Sequence, residues 1–142
     1  MSDIVILALL TSLGLPQSLV QPGNPAIDYI LSKFLVDART AGIHPISFMF
    51  QEYHDTETFR KWCEREKMMG FETKACMGPK QVQIANEVFG PDQAAIERAK
   101  HIKSVFETNA ANAQNGFMDE KYGFIDEPIY RDALLVLNRK AN

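Results

Sequence analysis

Short apolar runs alternate with capped amphipathic segments through residues 1–90, and this alternation limits the fold more than any single motif does. The first run, Ile4 to Leu15, reads as a buried strand running into a loop. It is about half the roughly 20 residues that span a bilayer, and Asp3 stands where a signal peptide carries positive charge, so no membrane association is expected. The segment from Gly14-Leu15-Pro16 to Asn24-Pro25 has the density of Pro, Gly and Asn of a loop. Asn24 can cap the helix that follows, and Pro25 suits its first turn because the missing N–H would be unpaired there. Ile27, Ile30, Leu31, Phe34, Leu35 and Ala38 then recur at helical spacing up to Gly42. Ile43 to Phe50 reads as a second strand, and a helix from Asp55 or Thr56 carries Phe59, Trp62, Cys63 and Met69 to Gly70. Thr73 to Met77 reads as a third strand, turning at Gly78-Pro79 into a helix with Val82, Ala85 and Val88. The order β-α-β-α-β-α argues for parallel strands with crossover helices and a ligand site at the carboxyl ends of the strands.

From Gly90-Pro91-Asp92 the pattern changes. A long helix places Ala95, Ile96, Ala99, Ile102, Val105 and Phe106 on one side, Asn109 to Gly116 forms a polar break, Phe117 to Ile125 reads as a hairpin around Asp119-Glu120-Lys121, and Pro128 starts a last helix through Ala133, Val136 and Leu137. The expected domains are therefore residues 1–90, built of βα units, and residues 91–142, a helix–hairpin–helix arm.

Charge and cysteine content narrow the function. With 18 acidic against 15 basic side chains in 142 residues, the net charge of −3 lacks the basic excess that neutralising a nucleic-acid backbone requires, so no nucleic-acid partner is expected. Two cysteines, Cys63 and Cys76, make no disulfide framework and no zinc spacing, and a reducing cytoplasm is the simpler setting. Both read as small core residues rather than nucleophiles. His44, His54 and His101 are dispersed without ligand spacing. The turn Met77-Gly78-Pro79-Lys80-Gln81 is the candidate binding segment. A strand end leading into a helix exposes N–H groups suited to a phosphate or carboxylate, and Lys80 adds charge, although an ordinary turn with a solvated Lys80 accounts for the same residues. Asp126 either caps the last helix or carries chemistry.

The segment Gly70-Phe71-Glu72-Thr73-Lys74-Ala75-Cys76-Met77-Gly78-Pro79-Lys80-Gln81-Val82, then Asn86-Glu87-Val88-Phe89-Gly90-Pro91 and Gly123-Phe124-Ile125-Asp126-Glu127-Pro128, resembles the C-terminal part of the citrate lyase β-subunit family. That family belongs to the HpcH/HpaI aldolase and malyl-CoA lyase superfamily, and the resemblance is closest over residues 43–139. It implies a TIM barrel in the complete family member, a divalent metal, usually Mg²⁺, and an acyl-CoA substrate cleaved or formed at a carbon–carbon bond next to the thioester. It places Met77, Gly78, Pro79, Lys80 and Gln81 near the CoA and assigns Asp126 a proton-handling role at a neighbouring subunit's site, hence a homo-oligomer.

The sequence also departs from the family pattern. Gly78 stands where the family carries a histidine, Ala8 falls near the position of a metal-ligating Asp, and only Glu52 survives of an acidic pair aligned with Ser47 to Glu52. No metal ligand is therefore assigned in this chain. A TIM barrel needs eight βα units and about 250 residues, so the expected fold is α/β, the last three βα units of such a barrel plus the helical arm. The expected function is that of a citrate-lyase-β-like acyl-CoA lyase, here a fragment, a truncated gene product or a divergent paralogue that is inactive alone. An alternative is a non-catalytic βα module with oligomerising or weak CoA-binding ability, and a third is a site completed by another polypeptide that supplies the missing strands.

Overall fold

The computed structural model describes residues 2–3, 6–110 and 116–139. The chain packs as two compact units, Met1–Gly90 and Pro91–Asn142, each around its own apolar cluster.

In the first unit, β1 (Ser2–Asp3) pairs in parallel with β2 (Pro45–Ile46), in the register Ser2↔Pro45 and Asp3↔Ile46. A parallel bridge then joins Ser47 to Lys74, through Ser47 N–H to Thr73 O and Ala75 N–H to Ser47 O, both 3.3 Å. The pairing is parallel, as the alternation requires, but β2 keeps only Pro45–Ile46 of the expected Ile43–Phe50, and the expected strand Thr73–Met77 is corrected: it forms no strand, only the single bridge at Lys74. The reason is local: the Phe48 and Phe50 carbonyls accept from the side chains of Lys74 and Gln81, and Met77 N–H donates to Gln81. Backbone groups spent on side chains cannot extend a ladder.

The expectation of a strand from Ile4 toward Leu15 is corrected. Residues Ile6–Ser12 form helix α1, while Ile4 and Val5 lie outside the described residues. Leu10 is buried and Ala8, Thr11 and Ser12 are exposed, so the run is one-sided in the manner of a helix. Its Ala and Leu content favours that form, and a short apolar run carries no periodicity that separates strand from helix.

Three helices cover the parallel segments. Helix α2 (Pro25–Thr40) starts at Asn24, whose side chain accepts Ala26 N–H at 2.9 Å, and buries Ile27, Leu31, Leu35 and Ala38. Helix α3 (Thr56–Met69) starts at Asp55, which accepts Thr58 N–H at 3.0 Å. It ends at Gly70, where φ is +108°, a left-handed cap that costs glycine little and other residues strain. Helix α4 (Pro79–Phe89) buries Gln81, Ile84 and Ala85 and leaves Val82 45% exposed. Arg65 grips Asp28 across α3 and α2, and Arg60 grips Glu87 across α3 and α4. The Arg60–Glu87 pair is exposed, which limits it to about 1 kcal/mol or less, whereas Arg65–Asp28 is part-buried. Most of the stability comes from the apolar layer, in which Phe48 meets Trp62 edge-on at 5.0 Å.

In the second unit, α5 (Gln93–Ala110) is capped by Asp92, which accepts Ala94 and Ala95 N–H at 3.0 and 3.2 Å. The expected hairpin is present as β3 (Gly116–Asp119) and β4 (Gly123–Asp126), antiparallel with Met118 opposite Phe124. Asp119 shapes its loop by accepting Lys121 and Tyr122 N–H at 3.0 and 2.8 Å. The last helix, α6 (Glu127–Arg139), stacks Tyr130 on Phe106 of α5 at 4.5 Å. Among the described residues no helix is long and apolar enough to cross a membrane.

Candidate functional site

The parallel segments converge on a buried ion pair. Lys74 Nζ lies 2.7 Å from Glu66 Oε1, and both side chains are 0% exposed. The ammonium also donates to Phe48 O at 3.0 Å and sits 4.0 Å above the Phe48 ring. Two directional partners and a ring face occupy this cation, so it is a structural charge and not a free nucleophile. Burial pushes the Glu66 carboxyl up, against the opposing pull of Lys74 and of the nearby Ser47 hydroxyl. Ser47 favours the carboxylate by proximity, yet neither Ser47 Oγ nor Glu66 Oε2 completes a well-formed hydrogen bond among the described residues.

Glu66 was not among the candidates that the sequence suggested. The signal was present: Phe59, Trp62, Cys63 and Glu66 share one face of α3, and an acid on an apolar stripe calls for a buried counter-charge.

Beyond this pair, the Met77–Gln81 turn leads from the segment bridged at Lys74 into α4. Gln81 is fully buried. Its Oε1 accepts Met77 N–H at 2.8 Å, and its Nε2 donates to Phe50 O at 3.1 Å. The side chain expected near a ligand is therefore a clamp between two loops. Met77, Pro79 and Lys80 are exposed and Gly78 half-buried. Cys76, Met77, Gly78, Pro79 and Val82 line an open, largely apolar groove beside the turn.

The other candidates are placed separately. Asp126, in the second unit, accepts Ile129 N–H at 3.1 Å and so caps the first turn of α6. His101 meets Asp119 at 2.9 Å and the Tyr122 ring edge-on at 5.2 Å. The other two histidines, His44 and His54, lie in the first unit beside Thr73 and Tyr53. Cys63 is buried, and burial pushes its thiol up to about 12. Cys76 is only half-buried and its thiol is also raised by burial, so it is a border residue of the core and not a strand interior. Ala8 lies on the exposed side of α1 and Glu52 is exposed. Among the described residues no three His, Cys, Asp or Glu gather to hold a metal ion.

Parallel pairing between helices, with a clamped turn and groove where a bridged segment enters α4, defines an α/β protein of the kind that binds ligands at the ends of its parallel segments. The protein-family models contain no match to the chain. Individual relatives do match. A citrate lyase subunit β-like protein of Deinococcus radiodurans is 30% identical over 120 residues, which cover 84% of this chain and 42% of that protein. A (3S)-malyl-CoA thioesterase of Cereibacter sphaeroides is 33% identical over 94 residues, 66% of this chain and 33% of the relative. The solved structure of CitE from Mycobacterium tuberculosis, in complex with magnesium, acetoacetate and coenzyme A, superposes with a TM-score of 0.70 at 18% identity, covering 94% of this chain and 49% of that one. The chain belongs to the citrate lyase β-like family. It spans less than half the length of each of these three proteins.

Proposed function

We propose that this chain contributes the CoA-binding end of an acyl-CoA carbon–carbon lyase of the citryl-, malyl- or citramalyl-CoA type. The observation that carries the reading is the clamped Met77–Gly78–Pro79 turn, which presents an apolar groove and the solvated Lys80 where the segment bridged at Lys74 enters α4. The apolar wall suits an acyl-pantetheine chain, and Lys80, next in sequence to Pro79 of the groove, carries a charge suited to phosphates. The names of the relatives support the same ligand class.

On this reading residues 1–90 are the last three βα units of a (β/α)8 barrel, and residues 91–142 are an arm used in homo-oligomer contacts. Mg²⁺ would bind the complete site through residues that this chain does not supply. Asp126 would handle a proton beside the thioester in the complete assembly, at the cost of its cap only when protonated. The setting would be the cytoplasm. Because the upstream strands of the barrel lie outside this sequence, the chain alone should not turn over. The exposed position of Ala8 favours a second reading, a βα module that binds CoA without catalysis.

Titration calorimetry of the purified chain with acetyl-CoA tests the binding claim. Saturable heat that is weakened by Lys80→Ala is expected, and absence of binding would remove both readings. A parallel assay with malyl-CoA and Mg²⁺ should show no cleavage, and cleavage abolished by EDTA would overturn the claim that the chain is incomplete.

A further inference from the structure

Gly78 lies at the N-terminal cap of α4 with φ −178° and ψ 178°. That conformation is extended and open to any residue, so the backbone does not demand glycine here. Tyr53 does. A Cβ at position 78 would stand 2.6 Å from Tyr53 Cε2 and 3.1 Å from both Cζ and Oη. Carbon atoms cannot rest that close, so either the ring or the turn would have to move.

The ring is not free to leave without consequence. Tyr53 is half-buried, its N–H donates to Gln51 O at 2.8 Å, and its ring meets His54 edge-on at 5.3 Å. Its loop begins at Phe50, whose carbonyl accepts from Gln81. The loop after β2 thus meets the Met77–Pro79 turn at two points, through the Gln81 amide and through the Tyr53 ring on Gly78. Gly78 is at the same time a wall of the groove.

We propose that Tyr53 is a positioning residue for the ligand-facing turn: it acts through Gly78, and the side chains at positions 53 and 78 jointly set the shape and affinity of the groove. This rests on the CoA-binding reading for the ligand, but the contact between the two residues does not. Nothing in the family resemblance assigns Tyr53 a role.

A double-mutant cycle on the whole chain tests it, with Gly78→Ala, Tyr53→Ala and the two combined, and Tyr53→Phe as the conservative variant. The readouts are hydrogen exchange at the Met77 amide, urea stability and acetyl-CoA affinity. Gly78→Ala should accelerate Met77 exchange and weaken acetyl-CoA about tenfold, the combined variant should recover most of both, and Tyr53→Phe should behave as the parent. Failure of Gly78→Ala to fold, with folding restored in the combined variant, is the same result in stronger form. Effects at 53 and 78 that simply add would overturn the proposal. If the parent binds no acetyl-CoA, the functional reading fails, and the exchange and stability cycles still decide the coupling.

Discussion

Lys74 and Glu66 face each other at 2.7 Å with neither side chain exposed, and Lys74 at once holds the Phe48 carbonyl. Removing one partner leaves the other charge buried without compensation. Glu66→Gln and Lys74→Met should each cost about 3–5 kcal/mol. Glu66→Leu combined with Lys74→Met should lie closer to the parent, because two apolar side chains need no counter-charge. Urea denaturation of the four proteins checks this, and a double variant as weak as the singles would show that the Phe48 bond matters more than the charge.

The acid limb of stability should follow three carboxyls, the exposed Glu87 and Asp55 and the half-buried Asp119. Arg60 beside Glu87, His101 beside Asp119 and the Thr58 N–H beside Asp55 hold these groups below their ordinary range. The unfolded chain binds their protons more readily, so their stabilisation is essentially complete above about pH 5 and is lost as the pH falls through the lowered native values. Glu66 has the opposite sign. Its raised carboxyl contributes stability below about pH 4.3 that is lost as the pH rises through its native value. Denaturation midpoints from about pH 3 to about pH 8 should therefore lose one component in Glu66→Gln: the fall in stability with rising pH that begins near the unfolded glutamate value. An unchanged profile shape would mean that Lys74 cancels the burial effect.

Asp126 separates two roles by substitution. Asn caps a helix nearly as well as Asp, whereas Ala does not, so Asp126→Ala should cost about 1 kcal/mol and Asp126→Asn little. In the complete assembly proposed above, Asp126→Asn should lower turnover by about 10²–10⁴-fold, because the amide cannot exchange a proton at neutral pH. Melting temperature and turnover measured on the same samples give the answer; full turnover in Asp126→Asn would leave the residue as a cap.

The two thiols should differ in reach. Cys63 is 0% exposed and its thiol is pushed up to about 12, so almost no thiolate exists near neutral pH. Alkylation of the native chain, read by mass spectrometry, should mark Cys76 first and Cys63 only on unfolding. Equal labelling would show that the α3 layer opens readily.

Helix ends were the most legible part of the sequence. Asn24, Asp55 and Asp92 all cap the helices they precede, because a cap is settled by neighbours two or three residues away. The run from Ile4 was misread because Leu and Ala fit strand and helix alike and only the burial of Leu10 decides. The Glu66–Lys74 and Gln81–Phe50 contacts join residues 8 and 31 positions apart, and no local pattern fixes which buried polar groups will meet. Lys74 and Gln81 were visible as motif members; that one is a structural charge and the other a buried clamp required the coordinates.

Trp62 is the single tryptophan of the chain, wedged against Phe48 in the first unit, while Tyr122 and Tyr130 belong to the second. Tyr29 and Tyr53 stand in the first unit as well, so the indole alone is an optical label confined to one unit. Indole emission reports melting around Trp62 and is silent about the helical arm, and a mismatch between that signal and helical circular dichroism would reveal whether the units come apart in one transition or two.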